Sequence, residues 1–357
     1  MRDSSFEFLK RLLDAPGPSG FETVPARIWR AEAEAIADRV EADVAGNSAA
    51  TLNPGGTPHV MLAGHIDEIG LMLTHVDDDG FLYFDGIGGW DPQVLVAQRI
   101  RVMTRSGDVV GVVGKKPIHL IKGDEKERAA KITDLWIDVG VRSREEAAAR
   151  GIRVGDPAVV DARLVELGSG LIASRSVDNR IGAFVVLEAL RLLKEGGTFG
   201  ARATAAATTQ EEIGFSGGGA RVSAYTLDPQ VALVVDVSFA TDSPGMEKKE
   251  LGIHKLGGGP ILARGSATHP LVFERLAELA EAEGIPYSIQ ASPKHTATDA
   301  DAIYLSRAGV ATGVISIPNR YMHSPNEIVS LDDLDAAARL IAAFVRSLDG
   351  DADFVPR

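Results

Sequence analysis

The chain has 357 residues, 45% hydrophobic and 24% charged, which suits one large globular domain or a main domain with a smaller companion. Acidic residues outnumber basic ones by 50 to 37, and the formal charge of −13 argues against the basic face that a nucleic-acid binder needs. The absence of cysteine excludes disulfides, thiolate metal sites and cysteine nucleophiles.

The opening segment is charged (Arg2, Asp3, Glu7, Lys10, Arg11) and does not read as a secretory signal. No run of about 18 apolar residues predicts a membrane span, so cytoplasmic residence is the expectation. Phe6, Leu9, Leu12 and Leu13 keep a helical spacing. Ala15-Pro16-Gly17-Pro18-Ser19-Gly20 breaks that helix, and a second amphipathic helix is predicted to about Val40. The apolar run from His59 to Gly64 predicts a buried strand. Residues 69–165 change texture, with short β-type runs at 70–76, 81–84, 99–104 and 109–113 between turn signals. Such spacing predicts a small β-rich barrel or sandwich, with a helix at 143–149. Beyond residue 174 strands and helices alternate. Helices fit 181–193, 269–283, 299–308 and 331–348, and strands fit 203–208, 232–235 and 311–317. The expectation is an α/β fold: a mixed, mostly parallel sheet flanked by helices, formed by residues 1–68 and 166–357, with 69–165 inserted.

Polar residues gather where these strands end. His65-Ile66-Asp67-Glu68 follows the first apolar run, Gln210-Glu211-Glu212 follows 203–208, and Asp236 follows Leu233-Val234-Val235. His323-Ser324-Pro325 lies beyond the last strand, and Asp178-Asn179 precedes a helix. Ligands of α/β sheets bind beyond the carboxyl ends of the strands. If these strands are parallel neighbours, two imidazoles and four carboxylates share one cavity. Carboxylates crowded together raise each other's pKa, and cations remove the penalty. The count suits two metals about 3.5–4 Å apart sharing a carboxylate, and zinc or cobalt suits such nitrogen and oxygen donors. Asp67, two residues after His65, is placed to orient its imidazole. One of Glu211 and Glu212 can bind metal while the other acts as general base on a water between the metals. Taken singly, each of these residues has an ordinary structural reading as a turn, a cap or a solvated pair; their shared placement carries the argument.

Ala63-Gly64-His65-Ile66-Asp67-Glu68-Ile69-Gly70, Ser176-Val177-Asp178-Asn179-Arg180, Gln210-Glu211-Glu212-Ile213-Gly214, Asp236-Val237-Ser238 and His323-Ser324-Pro325 together resemble the tetrahedral (TET) metallo-aminopeptidases. That family includes glutamyl, leucyl, lysyl and deblocking aminopeptidases, and some members carry an endoglucanase or cellulase label. The resemblance extends, in order, through Pro117-Ile118-His119 and Asp134-Leu135-Trp136-Ile137-Asp138-Val139-Gly140. It implies that His65 and Asp236 hold one divalent metal, that Glu212 and His323 hold the other, and that Asp178 bridges them. It further implies Glu211 as general base and Asp67 as the support of His65. The metals would be zinc or cobalt, with manganese as an alternative, and the substrates short peptides. The resemblance also implies that the β-rich insertion is a dimerisation domain and that dimers build a homo-oligomeric dodecamer. A related acyl-amino-acid hydrolase or deacetylase, and a non-catalytic assembly protein, are the competing readings. A sugar hydrolase would use two metal-free carboxylates, and the two histidines speak against it.

Overall fold

The computed structural model of the chain describes residues 1–214 and 217–357. Strand His59–His65 is buried along its whole length. Val60 and Leu62 enter a large core with Phe8, Trp29 and Phe184, whereas Met61 and Ala63 enter a smaller one with Ala220, Ala224 and Ile303. A strand that is apolar on both faces needs helices on both. Helices Asp3–Asp14, Val177–Glu195, Pro270–Ala282 and Leu331–Arg346 contribute to the large core. Helices Gly218–Leu227 and Ala300–Ile303 close the other face.

The main sheet has eight strands. From edge to edge they are Arg39–Ala42, Ser48–Leu52, Arg202–Thr208, His59–His65, Val231–Phe239, Ala311–Asn319, Ile261–Gly265 and Ser288–Ser292. The central strands from Arg202–Thr208 to Ala311–Asn319 are mutually parallel, and antiparallel pairings join them to strands on either side. A second sheet closes into a six-stranded antiparallel barrel: Gly70–Val76, Leu82–Ile87, Leu135–Asp138, Gly107–Lys115, Arg99–Thr104 and Pro157–Val160. It has its own core around Leu73, Ile100, Val102 and Ile137. The fold is therefore mixed α/β with a barrel-like β unit, as the alternation predicts. Among the described residues, no helix is long and apolar enough to cross a membrane.

Two helical expectations are corrected. The helix expected to about Val40 ends at Ala33, and Val40 instead pairs with Ala50 in a hairpin. The Asp43 carboxylate accepts the Ala45 and Asn47 N–H groups at 2.9 and 3.0 Å, supplying a turn that competes with helix. The helix expected at 299–308 shrinks to Ala300–Ile303, because the chain turns out through Arg307 (φ 50°) and Gly309 (φ 101°). Two strands run further than expected, to Phe239 and to Asn319.

Close backbone approach fixes the sheet against its longest helix. A Cβ on Gly64 would lie 2.3 Å from the Gly182 carbonyl carbon, and one on Gly182 would meet Asn179 and the Val235 oxygen. Asn179 exploits this approach: its Nδ2 donates to the Val235 carbonyl at 2.7 Å, and its Oδ1 accepts the Gly182 N–H at 3.0 Å. The N-terminal helix is tied in by a buried guanidinium. Arg180 donates to the carbonyls of Leu12, Ala15, Gly17 and Ile66, and to Glu68 Oε1 at 2.9 Å. Arg175 pairs with the other Glu68 oxygen. Replacing Arg180 with Met would strip several buried carbonyls of their donor and weaken the neutralisation of Glu68. Arg180→Met is expected to cost ~3–5 kcal/mol, read as a lower urea midpoint.

Candidate metal centre

The parallel register sets the first ligands level. Thr208 lies opposite His65, and Val234 lies opposite Ala63, so Asp236, two residues further on, comes level with His65. Asp236 sits inside strand Val231–Phe239 rather than beyond it. Glu211 and Glu212 follow Thr208 in the connection to the next helix. Asp178 lies at the start of Val177–Glu195, where Asp178 and Asn179 have non-helical dihedrals. His323 occupies the turn after Ala311–Asn319 with φ 60°.

All seven residues singled out in the sequence meet there. Asp178 lies between the two imidazoles: its Oδ1 is 3.2 Å from His65 Nε2 and its Oδ2 is 3.3 Å from His323 Nε2. Around His65 Nε2, Glu211 Oε2 is at 3.7 Å and Asp236 Oδ1 at 3.9 Å. Beside His323 Nε2, Glu212 Oε2 is at 3.4 Å. Asp67 Oδ1 stands 3.3 Å from His65 Nδ1, near enough for charge attraction though not aligned as a hydrogen bond. Asp67 also accepts the backbone N–H groups of Glu211 (3.2 Å) and Glu212 (3.1 Å).

The family model of the M42 glutamyl aminopeptidases matches residues 46–340. The chain belongs to the M42 peptidase family. A lysyl aminopeptidase of Pyrococcus furiosus is 37% identical over 98% of this chain and 99% of its own length. Among solved structures, a TET aminopeptidase from a marine sediment archaeon (Thaumarchaeota) superposes with a TM-score of 0.92 at 36% identity, covering 97% of each chain. The TET1 peptidase of Pyrococcus horikoshii, described as able to assemble into a tetrahedron or a large octahedral shell, has a TM-score of 0.84 at 31% identity, over 96% of this chain and 100% of that one. Family membership supports a peptide hydrolase.

In this M42 chain the donor set fits metal. His65, Asp178 and Glu212, and likewise His65, Glu211 and Asp236, bring one ligand atom each within 4.8 Å of one another. These two proximity groups both use His65 and leave out His323. The pairwise contacts separate the centre better, because each Asp178 oxygen faces a different imidazole. Glu212 Oε1 is buried without a hydrogen-bond partner, an expensive state for a carboxylate that a cation would relieve.

The electrostatics agree. Burial raises Glu212 and Asp236 well above the usual carboxylate range, with Asp178 adding to both. Burial also lifts Glu211 to about 7, against the opposing pull of His65. Burial alone would lower His65, but Asp67 and Glu211 outweigh it and hold the imidazole protonated more strongly than usual. His323 is raised first by its contact with Asp178. Asp178 is buried too, yet the two imidazoles keep it below its ordinary value. With protein groups alone, protons supply the positive charge that the cluster lacks.

Sequence reasoning missed three participants. The Gly89 carbonyl, in the barrel segment after Leu82–Ile87, accepts from His323 Nδ1 at 2.7 Å, which leaves Nε2 free to accept and facing Asp178 and Glu212 when the ring is neutral. Asp299 accepts from Thr208 Oγ1 beside Glu211, and burial raises it to about 6. Glu327 accepts backbone N–H groups from Asp178 and His323. Only Glu327 had a signal, four residues after His323; the carbonyl of Gly89 is a backbone group that residue identity does not mark.

Metal ligands must be deprotonated, and most of these groups are held protonated above their ordinary values. Zinc or cobalt added to chelator-stripped protein at pH 7 is therefore expected to release protons. Affinity should fall as the pH is lowered from 8 to 6. Calorimetric titration in two buffers of different ionisation enthalpy measures the release, and equal heats would contradict it.

Proposed function

We propose that the chain is a dinuclear metal aminopeptidase that removes N-terminal residues from short peptides. The observation that supports this most directly is Asp178, with one carboxylate oxygen toward each imidazole and an acidic partner beside each. His65 and Asp236 would hold one metal, Glu212 and His323 the other, and Asp178 both. Two zinc or cobalt ions, with manganese as an alternative, would supply Lewis acidity that polarises the scissile carbonyl and acidifies the attacking water.

Glu211 is the group left to move protons. Burial places its pKa near 7, where a general base works at neutral pH. It takes the proton of the attacking water as the new C–O bond forms, then delivers it to the peptide nitrogen as the C–N bond breaks. Glu211 lines both a cavity of about 330 Å³ and a larger one of about 990 Å³, with Ala297 and Thr298 between them. A proton shuttle between the reacting carbonyl and the leaving amine needs access to both sides. Asp67 keeps Glu211 in place through its backbone, and the acidic surroundings attract the substrate's free ammonium.

The smaller cavity continues from the ligands past Ser238, Phe239, Gln290, Thr296 and Met322. Among its described lining residues there is no lysine or arginine. An acidic N-terminal side chain would find no lysine or arginine there to pair with, so neutral side chains fit better. The same reading assigns residues 69–165 to a dimerisation domain and dimers to a dodecamer; the tetrahedral or octahedral shells described for the TET1 neighbour support assembly into a large homo-oligomer.

Glu211→Gln is expected to lower kcat by about 10²–10⁴-fold while two metals per chain remain bound; retained turnover would remove Glu211 from the base role. In a panel of aminoacyl-p-nitroanilides, leucine, methionine or glutamine substrates should be cleaved at least about tenfold faster than glutamate or aspartate ones, and a chelator should abolish both. Cleavage of an N-blocked dipeptide alone would move the reading to an acyl-amino-acid hydrolase. Metal bound without any turnover would favour a non-catalytic role.

A further inference from the structure

Glu327 has none of the roles above, yet it is only 2% exposed and spans two parts of the centre. Its Oε2 accepts the backbone N–H of Asp178 at 3.1 Å, and its Oε1 accepts the backbone N–H of His323 at 3.0 Å. Asn319 Nδ2 donates to the same Oε1 at 3.4 Å. Neither backbone N–H belongs to a regular ladder. Asp178 stands in the first turn of its helix, where amide groups lack intrahelical acceptors, and His323 is in a left-handed turn. Glu327 is itself anchored, since it opens strand Glu327–Ser330 and pairs with Ser174, four residues before Asp178.

The two ligands thus come from distant stretches of chain, and one carboxylate registers them against each other. We propose that Glu327 is a positioning residue that sets the separation and direction of Asp178 and His323, and so shapes the metal position that His323 shares with Glu212. The proposal rests on the reading of those residues as metal ligands. A carboxylate suits this task because both of its oxygens accept. A glutamine amide of nearly the same size can accept from one N–H only, and turns an NH₂ group toward the other. His65 and Asp236 receive no hydrogen bond from Glu327, so the metal position they define should depend on it less. Asp67 repeats the device on the other side, where its two oxygens take the N–H groups of Glu211 and Glu212.

The test is cobalt titration of the chelator-stripped full chain, followed by calorimetry and by visible absorption, for the wild type, Glu327→Gln and Glu327→Asp. The wild type is expected to bind two equivalents. Glu327→Gln should keep one equivalent near wild-type affinity and bind the second about 10–100-fold more weakly. Glu327→Asp, which retains two acceptor oxygens, should recover part of that loss and covers the case in which the glutamine variant fails to fold. Two equivalents at wild-type affinity in Glu327→Gln would overturn the positioning role and leave the dinuclear reading standing. Equal weakening of both equivalents, together with a lower melting midpoint of the metal-free protein, would also overturn it, as the mark of a general structural role. A wild type that takes up fewer than two equivalents would overturn the reading beneath it.

Discussion

The structure is organised around the cost of gathering carboxylates at a largely buried centre. Asp67, Glu68, Asp178, Asp236 and Glu327 are all nearly or fully buried within a few residues of one another in space or along the chain. An uncompensated buried carboxylate is costly enough to neutralise itself instead. Most of them have a distinct partner. Glu68 has two guanidinium groups. Asp67 and Glu327 each take two backbone N–H groups of residues at the centre. Asp178 has two imidazoles. Burial still pushes up the pKa of Glu327, to about 8 despite its two N–H donors, and those of Asp236 and Glu212 well above the usual range; at the last two this is the part of the charge that a cation would complete.

The scaffold serves that arrangement. Gly64 and Gly182 let a strand and a helix touch backbone to backbone, which sets Asp178 across from His65. The guanidinium of Arg180 gathers carbonyls from the end of the first helix and from Ile66, next to His65. The barrel contributes as well. Gly89 orients His323, and a Cβ on Gly88 would lie 3.3 Å from Glu212 Oε2, so the segment leaving the barrel strand lies against the centre. Through these contacts the barrel segment packs beside the centre.

Much of this is legible in the residues. The apolar runs 59–64, 203–208 and 311–317 mark the inner strands because a strand covered on both faces is apolar throughout. The polar residues that follow them mark the cavity because parallel strands end on one side. The hairpin at Arg39–Ala42 was hidden because Val40 continued the helical pattern, while the Asp43 turn that diverts the chain depends on a local competition for amide groups. Asp236 looked like a residue beyond its strand, because a buried acid in a strand interior makes sense only once a cluster surrounds it.

Sequence alone determined the fold class, the placement of His65, Glu211, Glu212 and His323 at or beyond strand ends, and the family resemblance that these residues carry with Asp178 and Asp236. Those are properties of residue type and spacing along the chain. Tertiary structure alone decided which oxygen of Asp178 faces which imidazole, that the Gly89 carbonyl takes the Nδ1–H of His323 and leaves Nε2 toward Asp178, and that one Glu327 carboxylate accepts from two distant backbone segments. The physical reason is that these are contacts between backbone and side-chain atoms far apart in the chain that the fold brings together. Their energy depends on direction and on distances of a few tenths of an ångström, and neither is encoded in the identity or spacing of any single residue.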